Sequence, residues 1–454
     1  MATKPSIKVL TATSPQVLNV IRNQATQNYK DYVPVATPDA ESIKQIGAII
    51  MDYPALRNEF ISSLVNRIAK VIVTSKLYTN PWAMFKKGVI ELGETVEDIF
   101  VNIAKPFQFD PEVAETEVFK REIPDIHAAF YTMNYQKFYK TTVSNDQLRT
   151  AFLSWDGITD LIAKIVESMY TGANYDEFQV TKYMLARWLL DGKIAGIETK
   201  AVTEENMKSV VSTIKAASNS LEFMTDKYNV AGVLTHALKE DQYIILNSKF
   251  DAIMDVEVLA SAFNMDKAQF MGQRVLVDGF GDIDNKRLAI LFANDSTYVA
   301  LTAEELELLN TIPAVLVDKD FFMIFDNMLQ MTENYNGQGI YWNYFYHTWK
   351  TFACSPFANA IAFIPASQSV DSVTISPKTA TVSAGSDIQL SVEVEAENLA
   401  PKAVNWEITS EGNIATVNNS GYVSTKAGET GTVVVKATSV FDSTKSDTCT
   451  ITVS

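Results

Sequence analysis

The stretch that most constrains the fold is the run from Tyr341 to Pro365, which reads YWNYFYHTWKTFACSPFANAIAFIP. Aromatic and small apolar residues fill it, and it carries almost no charge. Extended structure this apolar must be buried on both faces. The run therefore predicts a central strand or strand pair that closes a large domain, because the composition changes abruptly from about Ser367 onward.

The segment 366–454 is predicted to form a small antiparallel β-sandwich. It is rich in Thr, Ser and Val, and apolar residues alternate with polar ones at 388–394, 404–408 and 449–453. Short alternating strands separated by turn residues, with one central tryptophan, are typical of immunoglobulin-like sandwiches. Cys449 falls on the predicted core face, where a free thiol behaves as a small hydrophobic group.

Length and charge exclude several classes of protein. A chain of 454 residues can hold two or three domains. A net charge of -16 argues against a protein that binds nucleic acid by neutralising phosphates. No apolar run reaches the roughly 18 residues of a membrane span, and the N-terminus lacks a signal peptide, so neither anchoring nor ordinary secretion is expected. The two cysteines lie in different predicted domains, which fits a reducing, intracellular origin without disulfides.

The first 140 residues contain two segments that cannot make a core of their own. Residues 1–40 are mildly basic and interrupted by prolines, which predicts an arm lying on another surface or a frayed terminus. A helix packed by one face is expected within 40–70. Residues 84–140 contain two strand-like arms around an acidic stretch, which predicts a long hairpin or excursion that needs a partner to lie on.

The middle of the chain predicts mixed helices and strands. Apolar residues recur at helical spacing from Trp155 to Tyr170 and again from Phe178 to Leu189, so two long helices are expected, divided at Gly172. Between 194 and 327 helices, including one at 256–265, alternate irregularly with short buried strands. This organisation is typical of an α+β fold rather than of a doubly wound nucleotide-binding fold.

The sequence contains little that suggests chemistry. Cys354 and His347 could be a thiol nucleophile and its base, but both lie in the apolar run, which favours simple burial. Asp282, Asp284 and Asp295, with Asn285, could bind calcium, but the EF-hand spacing is missing, which favours solvated loop acids. No catalytic, cofactor-binding or metal-binding residue is therefore predicted, and an enzyme is not expected.

Eight ordered segments resemble the major capsid (head) protein of short-tailed phages of the phi-29-like, picovirus type. They are NYKDYVPVAT (28–37), FKKGVIELGETVEDI (85–99), VFKREIPDI (118–126), TAFLSW (150–155), VEVLASAFNM (256–265), VLVDKDFFMIFDN (315–327), YWNYFYHTW (341–349) and FANAIAF (357–363). The C-terminal segments SVTISPKTATVSAG, VNWEITSEGNIATV, SGYVS and GTVVVKATS resemble the bacterial immunoglobulin-like group 2 module.

The resemblance implies an α+β Hong Kong 97-type capsid fold in 1–365, followed by an all-β immunoglobulin-like sandwich in 366–454. Within the capsid domain it implies an arm at 1–40, an extended loop on a neighbouring subunit at 84–140, a spine helix at 155–172, an axial domain at about 195–325 and a return to the peripheral domain at 326–365. If the loop lies on a neighbour, its basic residues should be assembly contacts: Lys86, Lys87, Lys120 and Arg121.

The implied function is a major capsid protein. Such a protein self-assembles through pentamers and hexamers into the icosahedral phage head, which is the virion capsid. The head encloses double-stranded DNA, which the protein would touch only through non-specific contacts. Its expected partners are its own copies, a scaffolding protein, the portal (connector) and, through the C-terminal module, the host cell surface. It would be made in the host cytoplasm, with no membrane partner. The alternatives are a bacterial surface or adhesion protein with an immunoglobulin-like module, or an intracellular enzyme with an appended binding module.

Overall fold

The structure, a computed structural model, describes residues 14–71, 78–91, 93–107, 121, 124–152, 157–254, 273–410, 412 and 414–454. The chain divides into two compact units. Unit 1 comprises Met1–Glu94, Thr132–Phe178 and Ile324–Phe352, and unit 2 comprises Thr95–Tyr131, Gln179–Met323 and Ala353–Ser454.

The described α-helices are α1 Ser14–Gln24, α2 Gln27–Tyr32, α3 Ala40–Asp52, α4 Pro54–Val71, α5 Asn145–Ala151, α6 Gly157–Leu190, α7 Met207–Ser220, α8 Ser248–Met254, α9 Asn285–Leu291 and α10 Ala303–Asn310. The described strands up to the end of the apolar run are β1 Lys86–Val89, β2 Val96–Val101, β3 Ile126–Tyr131, β4 Tyr135–Ser144, β5 Ala195–Glu198, β6 Gln242–Asn247, β7 Gln273–Val277, β8 Ala314–Asp318, β9 Phe322–Asn336, β10 Tyr341–Cys354 and β11 Ala360–Ile364. Among the described helices, none is both long and apolar enough to cross a membrane.

The N-terminal helices of unit 1 pack into its core. Val17, Leu18 and Ile21 repeat at helical spacing along α1 and are buried, as is Tyr29 in α2. The expectation of an arm over the whole of 1–40 is therefore wrong for residues 14–36, because these apolar positions find a core within their own unit. Residues 1–13 lie outside the described residues. The single helix expected within 40–70 is divided at Tyr53, since the residue before a proline is disfavoured in a helix and Pro54 suits the first helical position.

The core of unit 1 is completed by a four-stranded sheet in the order β1-β9-β10-β4. β10 and β4 pair in antiparallel fashion from Tyr341 opposite Ser144 to Lys350 opposite Tyr135. Trp342, Tyr344 and Tyr346 lie on the face that is buried against the helices. On the other face of β10, Asn343 and Thr351 are buried but Phe345, His347 and Trp349 are only half-buried, so the prediction of burial on both faces is wrong for the middle of this strand.

Unit 2 contains a five-stranded sheet in the order β5-β11-β8-β6-β7. β11 pairs in parallel with β5 and in antiparallel fashion with β8, and all of its residues are buried. Apolar residues of α7 and α8 cover one face of this sheet. The apolar run at 341–365 is thus divided between two sheets. The resemblance implied that the whole of 326–365 returns to the peripheral domain. This is wrong after residue 352, because Ala360–Ile364 pairs with β5 and β8 in the five-stranded sheet of unit 2.

One helix replaces the two that were predicted between 155 and 192. α6 runs without a break for 34 residues, and Gly172 lies inside it. A glycine in a helix costs only about 1 kcal/mol relative to alanine, which buried side chains on either side can offset. Met169 and Tyr170 are buried before Gly172, and Leu185 and Leu189 are buried after it. The predicted spine helix at 155–172 therefore begins at Gly157 and is twice as long as expected.

The irregular mixture of helices and short strands predicted between 194 and 327 is confirmed in the described residues, which form α7, the buried strand β6, and the strands β7 and β8. The helix predicted at 256–265 lies outside the described residues.

The C-terminal part of unit 2 is all-β in its described residues. Its strands are β12 Ser369–Ser376, β13 Thr379–Val382, β14 Asp387–Gln389, β15 Ser391–Glu397, β16 Val404–Ile408, β17 Ala415–Val417, β18 Tyr422–Thr425, β19 Gly431–Ser439 and β20 Ser446–Val453. They pair as β12-β15, β13-β20-β19-β16 and β14-β18-β17 around one apolar core. Cys449 is fully buried there, which confirms its predicted position. Only the pair β13 and β20 departs from the predicted antiparallel pattern among the described strands.

Candidate assembly surface

The excursion predicted at 84–140 contains a two-stranded antiparallel hairpin. β2 and β3 pair from Val96 opposite Tyr131 to Val101 opposite Ile126, which confirms the predicted hairpin. β1 and β4, at the two ends of the excursion, belong instead to the four-stranded sheet. Side chains of β2 and β3 alternate strictly between half-buried and exposed, so the hairpin has two distinct faces.

The inner hairpin face, formed by Asp98, Phe100, His127 and Tyr131, is held by the turn that follows β10. The ring of Phe357 lies 5.9 Å from that of Phe100 and 6.3 Å from that of His127, measured between centroids. The carboxylate of Asp98 accepts hydrogen bonds from the Tyr131 hydroxyl at 3.0 Å and the Ser355 hydroxyl at 2.6 Å. Burial and the adjacent charge of Asp98 raise the pKa of Tyr131, so its phenol remains a hydrogen-bond donor.

The outer hairpin face is open and largely apolar: it carries Ile99, Val101, Ile126 and Phe130, with Ala128 opposite Ile99 and one carboxylate, Glu97, opposite Phe130. The exposed fractions of the four large apolar residues are 58%, 53%, 56% and 62% in that order. Ile103 and Phe107, just beyond β2, are also exposed. Contiguous exposed apolar surface is uncommon on soluble monomers and marks an interaction surface. The hairpin therefore has one face fixed to its own unit and one face suited to contact with another chain.

The four basic residues predicted as assembly contacts have different environments. The ammonium of Lys86 lies 2.5 Å from Asp326 and 3.3 Å from Glu177, inside unit 1. Lys87 and Arg121 are exposed, and Lys120 lies outside the described residues. Lys86 thus forms its ion pairs within its own unit, and reversing its charge would disturb the folding of that unit.

Lys86 belongs to a buried charge network that also contains Lys350, Glu177 and Asp326. The ammonium of Lys350 donates to Glu177 at 2.5 Å and to Asp326 at 2.5 Å, and Asn80 donates its amide to Glu177 at 2.7 Å. Two ammonium groups balance two carboxylates, so no net charge is buried. The network joins β1, β9, β10 and α6 within unit 1.

The electrostatics of the network favour its charged form. Burial lowers the pKa of Lys86, but the charge of Glu177 and the hydrogen bond to Asp326 outweigh burial and raise this pKa overall. Burial raises the pKa of Asp326, but the charge and hydrogen bond of Lys350 outweigh it and lower that pKa overall. Sequence reasoning missed this network. Its signal was Lys350, the one Lys, Arg, Asp or Glu in the apolar run, because a lysine in a buried strand requires a partner.

The predicted acidic cluster has structural roles. Asp284 caps α9 by accepting the Arg287 amide at 3.1 Å, and Asp295 accepts the Thr297 amide at 2.9 Å. The buried ammonium of Lys182 donates to Asp278 and to the Asp282 carbonyl, each at 2.6 Å. Within the part of the chain that the structure describes, no three His, Cys, Asp or Glu side chains form a potential metal site.

The surroundings of Cys354 and His347 do not support a thiol nucleophile and its base. Burial raises the pKa of the Cys354 thiol well above its ordinary value, which suppresses the nucleophilic thiolate. The imidazole Nε2 of His347 lies 3.2 Å from the hydroxyl of Thr332. Neither environment activates a nucleophile.

Comparisons with known proteins cover both parts of the chain. The family model described as "Phi29-like phage major capsid protein" matches residues 18–364, and the one described as "Bacterial Ig-like domain (group 2)" matches residues 369–451. The major capsid protein of Bacillus phage B103 is 34% identical over 431 residues, which cover 94% of this chain and 90% of the relative. That of Bacillus phage PZA is 33% identical over 430 residues, with the same shares covered.

A solved structure shares the fold. A chain from the capsid of Staphylococcus phage Andhra superposes with a TM-score of 0.50 at 16% identity, covering 65% of this chain and 86% of that one. Together with the immunoglobulin-like match, this likeness confirms the predicted fold class of an α+β capsid fold followed by an immunoglobulin-like sandwich.

Proposed function

Because the chain belongs to the family of phi29-like phage major capsid proteins, we propose that its outer hairpin face is a surface through which each copy covers a neighbouring copy in the shell. A capsid shell is built from many copies of one chain, so the natural partner of an exposed apolar face is a second copy. The observation that carries this proposal is the open row of Ile99, Val101, Ile126 and Phe130 on a hairpin whose other face is already occupied.

The energetics support this assignment. An isolated two-stranded hairpin is marginal in water and needs a further surface to pack on. Full burial of a large apolar side chain contributes about 1.5–3 kcal/mol, and these four are each a little over half exposed. Covering them would contribute about 1 kcal/mol each, or about 4 kcal/mol per contact, before the cost of association. Because association costs about 4–15 kcal/mol, the hairpin contact would act together with the other contacts between copies, and its repetition throughout the shell would add to the stability of the assembly.

The remainder of the function follows from the same family. The protein is a structural component of the virion capsid, and we propose that it catalyses no reaction. Pentamers and hexamers would form an icosahedral head around double-stranded DNA, with a scaffolding protein and a portal as assembly partners. The net charge of -16 suits a container that touches its genome only non-specifically. Synthesis would take place in the host cytoplasm, and the module could contact the host surface.

The basic residues of the excursion remain part of the proposal in a narrower form. Arg121 is exposed, and we propose that it pairs with an acidic residue of a neighbour; Lys87, which is also exposed, and Lys120 are proposed to lie at the same contact. Lys86 is left out, because its ion pairs lie within unit 1. The alternative of a bacterial surface or adhesion protein does not account for a capsid family match across 18–364.

The hairpin proposal is tested by Val101→Asp, with Val299→Asp as its control. Both valines lie in unit 2 and both are 53% exposed, so an added carboxylate should cost either position equally little in the free subunit. Coexpression with the scaffolding protein and electron microscopy of the products would count closed particles. We expect the control to form shells and Val101→Asp to remain as folded, unassembled subunits, because its carboxylate would be desolvated at the contact. Normal shells from Val101→Asp would refute the proposal.

A further inference from the structure

The immunoglobulin-like module is joined to the five-stranded sheet by a short connection that the structure ties down. Only the four residues 365–368 separate β11, which ends at Ile364, from β12, which begins at Ser369. A second contact lies far away in sequence, where the module's loop 398–402 meets the turn 191–194. That turn follows the C-terminal end of α6 and leads into β5. We call this contact the junction: Gln368 and the loop 398–402 form its module side, and the turn 191–194 with β5 forms the other side. Both sides belong to unit 2.

Gln368 bonds to β5 through its backbone and to the module's own loop through its side chain. Its backbone N–H donates to the carboxylate of Glu198, at the end of β5, at 2.7 Å. Its side-chain amide donates to the carbonyls of Leu399 at 2.9 Å and Asn398 at 3.3 Å. Asn398 in turn donates its side-chain amide to the Ser367 carbonyl at 2.6 Å. Gln368 is 8% exposed, so these bonds are largely shielded from water.

Two glycines in and beside the turn leave the space that the module occupies. Gly192 has a φ of +65°, and its carbonyl accepts the Lys402 N–H at 3.3 Å. A Cβ at Gly192 would lie 2.6 Å from the Lys402 nitrogen and 3.0 Å from the Ala400 carbonyl oxygen. A Cβ at Gly196 would overlap the side-chain amide of Gln368. A side chain at either position would therefore push the module away.

Gly192 also ends α6. Its N–H donates to the Leu189 carbonyl at 3.1 Å, and the Lys193 N–H donates to the Trp188 carbonyl at 2.9 Å. This pair of bonds is the Schellman arrangement, in which a glycine with positive φ closes a helix. The turn that caps α6 is thus the same turn on which the module rests.

The loop on the module's side is held in an unusual backbone conformation. Asn398 and Leu399 have φ values of 51° and 61°, in the left-handed region that residues with side chains rarely occupy. Such a conformation persists where the surroundings determine it. Here Leu399 and Ala400 are buried, and the carbonyls of Asn398 and Leu399 are both bonded to Gln368. The contact with Gln368 therefore stabilises the left-handed conformation of Asn398 and Leu399.

From these observations we propose that the immunoglobulin-like module is a brace, docked in one orientation on the turn that joins α6 to β5. It stabilises this turn through Gln368 and Lys402, and it is not a decoration on a free tether. Each copy would therefore present its module at the same angle to its five-stranded sheet. This role does not depend on the outer hairpin face and extends beyond the proposed shell contact.

The test is hydrogen exchange on the full-length, unassembled subunit, comparing Gly192→Ala with Gly232→Ala. The two glycines have nearly the same φ, +65° and +62°, but nothing lies within 4 Å of a Cβ at Gly232. Both variants carry the same backbone strain, and only the first blocks the docked loop. We expect the amides of Gln368 and Lys402 to exchange about tenfold faster in Gly192→Ala, the effect of losing one or two hydrogen bonds. Gly232→Ala should leave them unchanged.

Equal exchange at these two amides in both variants would overturn the brace. The amide of Val315, in the buried strand β8, reports whether each variant remains folded. If Gly192→Ala does not fold, Gln368→Ala provides the same test without a glycine change. It removes the bonds to Asn398 and Leu399, so exchange at Lys402 should again accelerate. Wild-type exchange at Lys402 in that variant would contradict the proposal.

Discussion

Replacing Lys350 with Met would measure how much the buried charge network contributes to the free energy of unfolding. The side chain of Lys350 is 5% exposed, and its partners Glu177 and Asp326 are 3% and 10% exposed. Methionine keeps much of the volume of the lysine side chain but carries no charge. The two buried carboxylates of this network would then share one ammonium group, that of Lys86. Removing one partner of a buried ion pair costs about 3–5 kcal/mol. For a unit of this size that corresponds to a decrease in Tm on the order of 10 °C.

The matched control is Lys319→Met. Lys319 also forms a short ion pair, 2.8 Å from Asp241, but its side chain is 49% exposed. A solvent-exposed ion pair contributes little to stability, because water screens its charges. Urea unfolding of the unassembled subunits, followed by circular dichroism, would measure both variants against the wild type. A loss of stability in Lys350→Met no larger than that in Lys319→Met would show that the buried charge network does not depend on Lys350 for its contribution to stability.

The pH dependence provides a second measurement on the same variants. In the wild type the pKa of Asp326 is lowered overall, so its contribution to stability is present above the unfolded pKa and is lost as the pH falls through the folded pKa. Without Lys350, two buried carboxylates share the one ammonium of Lys86, which lies 2.5 Å from Asp326 and 3.3 Å from Glu177. Burial should then favour a proton on this carboxylate pair, and protonation would stabilise the folded variant. The stability deficit of Lys350→Met should therefore shrink between about pH 7 and about pH 4, whereas that of Lys319→Met should not show this recovery.

Two further predictions concern the module and the free thiols. A chain lacking 367–454 should fold and still form shells, because the five-stranded sheet ends at Ile364. Its Tm should be lower, because the turn 191–194 loses its contact with the module. Calorimetry would measure the Tm and electron microscopy the shells, and a folded truncated chain that never assembles would contradict the prediction. Cys354 is 4% exposed, and burial raises the pKa of its thiol. A thiol reagent at neutral pH should therefore label Cys354 only after the subunit unfolds. Rapid labelling of Cys354 in the folded subunit would contradict this prediction.

Local patterns in the sequence predicted local structure well. The alternation at 404–408 and 449–453 predicted strands because successive side chains of a strand face opposite sides, and both strands are present. The helical spacing before and after Gly172 predicted helix on both sides of it. It could not predict that the helix continues through Gly172, because that depends on whether tertiary packing offsets the weak propensity of glycine.

Features that depend on distant partners could not be predicted. The apolar run indicated burial, but its composition could not assign Tyr341–Cys354 and Ala360–Ile364 to different sheets. The charge network joins Lys86, Glu177, Asp326 and Lys350, which lie far apart in sequence and meet only through strand pairing and helix packing. The hairpin was predictable as a feature without a core of its own. Its register, which places Ile99 and Phe130 on the same outer face, required the structure.

The most direct test of the shell contact is a high-resolution cryo-electron microscopy map of particles assembled from the wild-type chain. We expect Ile99, Val101, Ile126 and Phe130, each more than half exposed in the single chain, to be buried against another copy in the shell. A map in which this face remains open to solvent at every position in the shell would contradict the proposed contact between copies.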